Sequence, residues 1–334
     1  MDLSIVIVNY KSAKLILDCL DTLLPGNAGI LLEIIVVDND SYDNSEELIT
    51  GVYPQVTWIQ MGYNSGFARA NNEGIRRARG KVILLINPDT LILDEAVVKC
   101  FKRLNDSDNI GAGVQLLNED GSPQISGNFF MKGGLNHLMN VPYLGRLIRA
   151  AGMSLKVKKT NVARAEGEVE VDWINGAFLM VKQDAIEKAG LLDEDFFLYA
   201  EEIEWCSRLH KTGKMVIYGD LHVIHLVGMT ASEAFGSSFR GYTELTDRKG
   251  LQLIVSGWLR IRKQFGTAWL LLHAAVYAAA IPVYFFAFLI STLLLRPHRA
   301  AHWHSFASYT GNVCRSIALL PRMIRGKPYF YKML

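Results

Sequence analysis

An aspartate at the end of a buried strand is the residue in this sequence best placed to do chemistry. The apolar residues 82–86 predict a strand buried on both faces, and Asn87, Pro88 and Asp89 follow it directly. Pro88 cannot donate a ladder hydrogen bond, so Asp89 is presented at the carboxyl end of the strand. Ligands of open α/β sheets bind at that edge, where a carboxylate could hold a divalent ion against phosphates. The alternative is that Asp89 caps a helix beginning at Leu91.

A second carboxylate, Asp38, ends another predicted strand. It follows the apolar residues 33–37, while Asn9 follows a first strand at residues 4–8. Asp38 could accept the imide N–H of a uracil or thymine, or it could serve only the local turn. Because parallel strands end at the same edge of a sheet, we expect Asn9, Asp38 and Asp89 to lie along one edge.

The segment from Asn64 to Asn72 has the features of a helix start that binds phosphate or sugar. Gly66 would permit close approach of the backbone, and the amides of the following helix could face a phosphate. Arg69 could add positive charge. Asn71 and Asn72 are weak helix formers one turn into the helix, where they could contact a sugar or could be ordinary exposed asparagines.

Carboxylates and a histidine in the second half of the chain could complete such a site. Glu201 and Glu202 open a predicted helix, on which Glu204 and Arg208 can pair at i,i+4. A carboxylate at a helix start facing a cleft fits a general base, although acidic residues there also stabilise the helix dipole. His225 ends a later strand, where its imidazole could bind an ion of the Mn²⁺ class or be purely structural.

Strands and helices alternate along the first part of the chain. The predicted strands are residues 4–8, 33–37, 57–60 and 82–86, and the predicted helices are residues 12–24, a helix from Ser45 and one within 64–80. This order predicts an α/β fold with a doubly wound, mostly parallel sheet and helices on both faces.

Residues 111–235 are expected to pack on this sheet and contact an acceptor. The predicted elements are strands at residues 111–116, 171–173 and 176–181 and a helix from Gln183, with a loop-rich, basic stretch at residues 128–168.

The C-terminal part of the chain has a composition typical of a membrane-associated region. Residues 269–295 contain no charged side chain, and as a helix they would span about 40 Å against roughly 30 Å of hydrocarbon. They could form one tilted span, a re-entrant hairpin kinked at Pro282, or a core helix of a soluble enzyme. The following stretch predicts a helix in the interface plane, with an apolar face of Trp303, Phe306, Val313, Ile317, Leu320 and Ile324.

The motif content of the sequence argues against a dinucleotide-dependent oxidoreductase and a P-loop NTPase, and its charge distribution indicates a membrane surface. Acidic residues are absent after Asp247, so the tail is basic and suits an anionic membrane surface, whereas the net charge of +2 gives no support for nucleic acid. The sequence contains neither G-x-G-x-x-G after its first strand nor a P-loop motif. The scattered Cys19, Cys100, Cys206 and Cys314 predict free thiols, and residues 1–4 show no export signal, so we expect cytosolic catalysis.

Taken together, five ordered blocks resemble glycosyltransferase family 2, the inverting nucleotide-sugar transferases with a GT-A fold, and within it the rhamnosyltransferase-like branch. The resemblance runs from about Leu3 to Gly228. The blocks are Val6-Ile7-Val8-Asn9-Tyr10, Val37-Asp38-Asn39, Asn64-Ser65-Gly66-Phe67-Ala68, Asn87-Pro88-Asp89, and Asp193 through Glu204 followed by His225.

The resemblance implies a role for each matching residue. Asp38 would read the nucleobase, and the donor-binding set would be Asn9, Asp38, Asn64, Gly66, Phe67, Arg69, Asn71, Asn87 and Asp89. Asn87 and Asp89 fall on the family's Asp-x-Asp metal motif with Asn in place of the first acid. His225, before Gly228-Met229-Thr230, would complete with Asp89 a site for Mn²⁺ or Mg²⁺.

The family's Glu-Asp pair is Glu201-Glu202 here, which makes Glu202 the catalytic base, one methylene longer than the usual Asp. Asp172, Trp173 and Glu201 would contact the acceptor. The implied reaction is inverting transfer of a sugar, with rhamnose as a candidate, from a nucleotide diphosphate sugar to a membrane- or lipid-linked glycan.

The expected organisation is a GT-A domain at residues 1–235, divided into a nucleotide-sugar half at 1–110 and an acceptor half at 111–235. A helical membrane-associated region follows at residues 236–334. The expected place of action is the cytoplasmic face of the inner membrane. The open alternatives are a hexosyltransferase of the same fold with another donor and an inactive nucleotide-sugar-binding subunit.

Overall fold

The computed structural model describes residues 1–24, 29–157, 159–226, 245–294 and 299–334. The strands are β1 Leu3–Asn9, β2 Leu32–Asp38, β3 Thr57–Gln60, β4 Val82–Ile86, β5 Thr90–Ile92, β6 Gly111–Leu117, β7 Gly127–Asn128, β8 Asn161–Val162, β9 Glu168–Val171, β10 Trp173–Ile174, β11 Phe178–Lys182 and β12 Met215–His225.

The helices are α1 Ala13–Leu23, α2 Ser45–Val52, α3 Gly66–Arg77, α4 Ala96–Asn105, α5 Leu144–Ser154, α6 Gln183–Ala189, α7 Glu201–Leu209, α8 Arg248–Phe265, α9 Thr267–Leu294 and α10 Arg299–Arg325. A 3₁₀ segment covers Lys132–Asn140. The chain divides into two compact units. Unit 1 comprises Met1–Phe129, Asn161–Phe197 and Glu201–Arg240, and unit 2 comprises Phe130–Thr160, Leu198–Ala200 and Gly241–Leu334.

Unit 1 is built on a nine-stranded sheet in the order β3-β2-β1-β4-β11-β6-β12-β5, with β9 beside β12. The strands β3, β2, β1 and β4 are parallel to one another. β11 lies antiparallel between β4 and β6, and β12 runs parallel to β6. The sheet is therefore mostly parallel, as the alternation of elements predicts.

Helices cover both faces of this sheet because side chains alternate along each strand. Ile5 and Ile7 belong to the same buried cluster as Leu20 of α1 and Phe101 of α4. Val6 faces the other way, where a Cβ on Gly74 of α3 would lie 2.4 Å from its side chain. The predicted doubly wound α/β fold is confirmed.

The alternative prediction of a helix beginning at Leu91 is wrong. Residues Thr90–Ile92 form β5, which pairs antiparallel with β12, and the helix begins only at Ala96. The stretch at 128–168 is also more regular than its loop-rich prediction, since it contains α5, the 3₁₀ segment and β8 of a small sheet ordered β10-β7-β8.

Unit 2 is helical. The Tyr309 hydroxyl of α10 donates to the carbonyl of Tyr277 in α9 at 3.0 Å, and Trp258 of α8 packs edge-on to the Tyr277 ring. Gly133, with φ of +65°, lies so close to Trp269 that a Cβ would be 2.1 Å from the indole. The boundary predicted between residues 235 and 236 lies outside the described residues and stays a prediction, while Phe130–Thr160 groups with the C-terminal helices.

The apolar segment forms one helix. Helix α9 continues through Pro282, so the chain does not reverse there as the kinked hairpin would require. In the described part of the chain, Thr267–Ile290 is the helix that is long and apolar enough to cross a membrane, and a third of that window is buried. On α10 the predicted apolar face is divided, because Val313 is buried whereas Trp303, Ile317 and Ile324 are exposed.

Candidate active site

The polar residues that end the first strands lie at one sheet edge. Asn9 and Asp38 are register partners at the ends of β1 and β2. Ile86, the last residue of β4, pairs with Ile7 of β1, so Asn87 follows at the same edge. The parallel alternation predicts this shared edge for Asn9 and Asp38, and Asp89, the third residue expected there, follows Asn87 and Pro88 directly before β5.

Asp38 is held by a dense set of donors. Its Oδ1 accepts from the Asn9 amide at 2.6 Å and from the Ser41 hydroxyl at 2.5 Å. Its Oδ2 accepts from the backbone N–H groups of Asp40 and Ser41 and from the Gln60 amide at 2.8 Å. A carboxylate has about four lone-pair sites. Nucleobase recognition by Asp38 therefore requires one of these bonds to open, and its donor-binding role stays a prediction.

The amides that begin α3 are also engaged. Ser65 N–H donates to the Asn39 side chain at 2.8 Å, Gly66 N–H to the Asn64 side chain at 3.2 Å, and Phe67 N–H to the Phe197 carbonyl at 2.8 Å. The Asn39 amide also donates to the Asn64 side chain. Asn39 therefore links the end of β2 to the start of α3, a role that the sequence did not indicate. A phosphate at this helix start would have to displace these partners.

Gly66 allows a close backbone approach, as predicted, but its neighbour is protein. Its φ is +76°, and a Cβ would lie 2.3 Å from the Phe197 carbonyl oxygen. Gly66→Ala should therefore lower the free energy of unfolding by about 2–4 kcal/mol, combining left-handed strain with a backbone clash. Urea unfolding measures this loss.

Two other glycines separate the causes. Gly62→Ala adds the strain alone, since Gly62 has φ of +73° and nothing within 4 Å, and Gly51→Ala adds neither. We expect the order Gly66 ≫ Gly62 > Gly51 in destabilisation, and equal effects at Gly66 and Gly62 would contradict the clash.

The two asparagines of α3 are buried rather than exposed. The Asn71 amide donates to the Phe67 carbonyl at 2.9 Å, and Asn72 both donates to and accepts from the backbone of Leu192. Arg69 donates to the carbonyl of Glu194 at 3.0 Å. The Asn72 and Arg69 bonds fasten α3 to the segment before α7, whereas the Asn71 bond lies within α3. A structural reason therefore exists for both amides.

Pairing of β5 with β12 brings Asp89 to His225. Thr90 and His225 are register partners, and Leu226 N–H donates to the Asp89 carbonyl at 2.9 Å. His225 Nε2 then lies 3.5 Å from Asp89 Oδ1 and 3.4 Å from Asn87 Nδ2. Both Asp89 and His225 are buried, with 3% and 4% of their surface exposed. The segment 228–230 that follows His225 in the family pattern lies outside the described residues.

Gln124 orients this histidine, and no signal in the sequence identifies it. Its Nε2 faces two backbone carbonyls, of His225 at 2.6 Å and Leu117 at 3.0 Å, which only accept. Its Oε1 therefore faces His225 Nδ1 at 3.1 Å, and Nδ1 must carry a proton. In the neutral imidazole, Nε2 is then a bare lone pair directed at Asn87 and Asp89.

Glu202 opens α7 beside the same edge. Its side chain packs over Gly176, whose Cβ position would lie 3.4 Å from Glu202 Cγ. The next residue, Ala177, accepts from Asn87 N–H at 3.1 Å, which links the Glu202 neighbourhood to the end of β4. Farther along α7, Glu204 forms the predicted pair with Arg208 at 2.8 Å.

Glu201 is buried, with 3% of its surface exposed, and its Oε2 has no hydrogen-bond partner among the described residues. Burial raises the pKa of the Glu201 carboxyl well above its usual range, and the neighbouring Glu202 raises it further. Acceptor contact by Glu201 stays a prediction and would require this carboxyl to become accessible.

Asp172 lies near the end of α7 opposite Glu202. Asp172 Oδ1 is 3.5 Å from Nε2 of His210, which follows the C-terminal end of α7. Since Glu202 is at the other end of this helix, eight residues separate the two neighbourhoods, or about 12 Å along its axis. An acceptor that touches both would have to be extended.

The family follows from a match over much of unit 1. Residues 4–143 match the family model described as Glycosyl transferase family 2. This chain carries a glycosyl transferase family 2 domain. The match includes β1 to β4, the Asn9, Asp38 and Asp89 positions and α1 to α4.

The relatives that match this glycosyltransferase are themselves named as sugar transferases. The chain is 26% identical over 289 residues to the low-salt glycan biosynthesis hexosyltransferase Agl10 of Haloferax volcanii, covering 79% of this chain and 85% of that one. It is 23% identical over 254 residues to the N-acetylglucosaminyl-diphospho-decaprenol L-rhamnosyltransferase of Mycobacterium tuberculosis, covering 69% and 77%.

Among solved structures, the mannosyltransferase PcManGT from Pyrobaculum calidifontis, in complex with GDP-Man and Mn²⁺, has a TM-score of 0.52 at 15% identity. The alignment covers 94% of this chain and 86% of that one. At this identity the likeness supports the GT-A fold.

The residues at the sheet edge of the glycosyltransferase fit a divalent cation. No hydrogen-bond donor among the described residues satisfies Asp89 Oδ1, which is a buried charged atom facing a histidine lone pair. A cation between them would satisfy both, and the Asn87 amide oxygen could rotate to join them. The described residues hold no cluster of three His, Cys, Asp or Glu ligands, so the site would need oxygens from a substrate or water.

Proposed function

We propose that this glycosyltransferase moves a hexose, with rhamnose as the first candidate, from a nucleotide diphosphate sugar to a lipid-linked glycan. The observation that carries the proposal is the pairing of β5 with β12, which places the buried, unsatisfied Asp89 oxygen 3.5 Å from His225 Nε2. The names of the relatives support a hexosyl donor, and the Mycobacterium tuberculosis relative supports a diphospho-polyprenol acceptor.

The donor would lie along the carboxyl ends of β1, β2 and β4, with its diphosphate at Asn87, Asp89 and His225. These three residues would hold Mn²⁺ or Mg²⁺, which when bound neutralises charge on the leaving diphosphate. Asn9, Asp38 and the Asn64–Asn71 segment would surround the nucleoside, after rearrangement of the bonds they make in this structure.

Glu202 would act as the general base. It removes the proton from an acceptor hydroxyl while that oxygen bonds to the anomeric carbon from the face opposite the diphosphate. The bond from the anomeric carbon to the diphosphate oxygen breaks, the nucleoside diphosphate leaves with the electron pair, and the configuration inverts. Glu202 is suited to this role because it is partly exposed at the start of α7, next to the turn that binds Asn87.

Unit 2 would bring this reaction to the cytoplasmic face of a membrane. It contains 18 Lys and Arg residues against two acidic residues, Glu244 and Asp247, whereas unit 1 contains 17 basic and 31 acidic residues. Such a surplus of positive charge suits an anionic leaflet that displays a lipid-linked acceptor.

Product analysis tests the proposal. The purified protein is incubated with N-acetylglucosaminyl-diphospho-polyprenol, one dTDP-, UDP- or GDP-hexose at a time and Mn²⁺, and the lipid product is analysed by mass spectrometry and NMR. We expect one donor to add one hexose with inverted anomeric configuration. Retained configuration would contradict the mechanism, and hydrolysis without transfer to any glycan lipid would contradict the acceptor class.

A further inference from the structure

Exposed apolar side chains are concentrated in unit 2. Helix α5 and the residues after it expose Leu147, Met153, Leu155 and Val157 by 50–77%. This helix is flanked by basic side chains that are also exposed: Arg146, Arg149, Lys156 and Lys159. No acidic residue occurs between residues 121 and 165. An exposed helix that combines apolar and basic side chains matches the chemistry of an anionic bilayer surface.

Helix α5 lies beside the apolar helix. Tyr143, directly before α5, packs edge-on to Tyr284 of α9 with ring centroids 5.1 Å apart. Beyond Tyr284, α9 exposes Phe286 and Ile290 by 61% and 57%, and α10 exposes Trp303 by 51%. Phe288 and Trp303 are in ring contact, so these exposed residues belong to the same end of the α9–α10 pair.

The packing of α9 argues against a lone transmembrane span. Tyr277 lies in the middle of the apolar helix. Its backbone carbonyl accepts a hydrogen bond from the Tyr309 hydroxyl of α10, and its ring packs edge-on against Trp258 of α8. Helix α8 carries Arg260, Arg262 and Lys263, and α10 carries Arg315 and Arg322. A spanning α9 would draw these partner helices with their charges toward the hydrocarbon, where charged side chains are unfavourable.

We propose that α5 and the neighbouring end of the α9–α10 pair form one monotopic surface that inserts into a single leaflet of an anionic phospholipid bilayer. The apolar side chains enter the acyl boundary, and the basic residues around α5 contact lipid phosphates. This goes beyond the proposed transfer reaction and does not depend on it, because no donor or acceptor takes part.

Vesicle cosedimentation of the full chain tests the surface. With vesicles containing phosphatidylglycerol, the double variant Leu147→Asp/Leu155→Asp should bind more than tenfold more weakly than the wild type. The triple variant Arg146→Glu/Arg149→Glu/Lys156→Glu should lose affinity for these vesicles but not for neutral phosphatidylcholine vesicles. Because the substituted side chains are exposed, the unfolding temperatures of both variants should match that of the wild type.

Matched controls lie in unit 1. Leu48→Asp changes an exposed leucine of α2, and Lys14→Glu/Lys99→Glu/Lys102→Glu changes three exposed lysines of α1 and α4. These controls should bind like the wild type. Unchanged binding of both α5 variants would overturn the proposal, as would equal losses in the unit 1 controls or equal wild-type binding to neutral vesicles.

The Gln124 side-chain amide supports a second inference, which does not depend on the membrane surface. Two carbonyl oxygens determine its orientation, and that orientation directs the Nε2 lone pair of His225 at Asp89. We infer that Gln124 is a positioning residue for metal binding, an inference that rests on the proposed metal site. Partners of this kind, which orient a histidine ligand, change metal affinity by about 10–100-fold when they are removed.

Mn²⁺ binding by the enzyme without donor, followed through the EPR signal of free Mn²⁺, tests this role. Gln124→Met keeps the length of the side chain but loses both the carbonyl bonds and the bond to Nδ1, and we expect a 10–100-fold rise in the Mn²⁺ Kd. Gln115→Met is the matched control, because the Gln115 amide donates to the carbonyls of Leu116 and Gln124 and, among the described residues, does not hydrogen-bond His225. It should lose stability but keep Mn²⁺ affinity.

Asp89→Ala separates the two possible failures. If Asp89→Ala loses Mn²⁺ binding while Gln124→Met binds like the wild type, the role of Gln124 is overturned and the metal site stands. If the wild type and Asp89→Ala bind Mn²⁺ equally, the proposed metal site itself fails, and the positioning role fails with it.

Discussion

Glu202→Gln should abolish sugar transfer while leaving donor binding intact. The amide has nearly the shape of the carboxyl group but cannot take a proton from an acceptor hydroxyl, and general-base catalysis is commonly worth about 10²–10⁴-fold in rate. Since Glu202 is not among the proposed diphosphate-binding residues and the amide has nearly the shape of the carboxyl group, the Kd for the nucleotide sugar should stay within about twofold. Single-turnover transfer rates and calorimetric donor binding measure the two effects.

Glu204→Gln is the control on the same helix. Glu204 is engaged by Arg208 at 2.8 Å, so its substitution should weaken the fold slightly without stopping transfer. A Glu202→Gln enzyme that keeps wild-type activity would exclude Glu202 as the base. Loss of activity in both variants would show instead that transfer depends on the folding of α7 and not on the Glu202 carboxylate.

Asp89→Ala should remove metal-dependent donor binding. Asp89 is the one carboxylate of the proposed Asn87, Asp89 and His225 set in the described structure. We expect the donor Kd measured with Mn²⁺ to rise at least tenfold, to the value measured with EDTA. Calorimetric titration of the nucleotide sugar in both conditions gives this comparison, and Asp108→Ala, at an exposed aspartate, is the control.

Asp89→Ala should weaken donor binding but should not lower the stability of the metal-free protein. In the metal-free protein Asp89 Oδ1 is buried without a hydrogen-bond donor among the described residues, so its removal relieves a desolvation cost. The unfolding temperature of metal-free Asp89→Ala should therefore equal or exceed that of the wild type. A marked decrease would mean that the Asp89 carboxylate serves the fold and not a ligand.

Local patterns were sufficient for the parallel strands, both for the fully buried β4 and for the partly exposed β3 at the edge of the sheet. Residues 82–86 and 57–60 coincide with β4 and β3 as the structure has them. The helix considered from Leu91 failed because β5 is stabilised by pairing with β12, more than 120 residues later. No local propensity reports such a contact.

In the candidate site, too, the features set by local sequence could be predicted and the contacts between distant segments could not. The alternation of elements predicts a shared edge for Asn9, Asp38 and Asp89, because parallel strands must end together, and the structure has Asn9, Asp38 and Asn87 at that edge. The partners of Gly66 and Asn72 were missed, because both lie in the segment before α7, which returns to α3. Gln124 was missed for a similar reason, since 101 residues separate it from His225.

The most direct test of metal-dependent nucleotide-sugar binding is thermal unfolding of the purified protein with dTDP-, UDP- and GDP-sugars, each with and without Mn²⁺ or Mg²⁺. A ligand at 100 times its Kd stabilises a protein by about 2.7 kcal/mol. We predict that one donor raises the unfolding temperature only when metal is present, and that Asp89→Ala loses the rise. No rise with any donor, in protein shown to be folded, would contradict donor binding at Asp89 and His225.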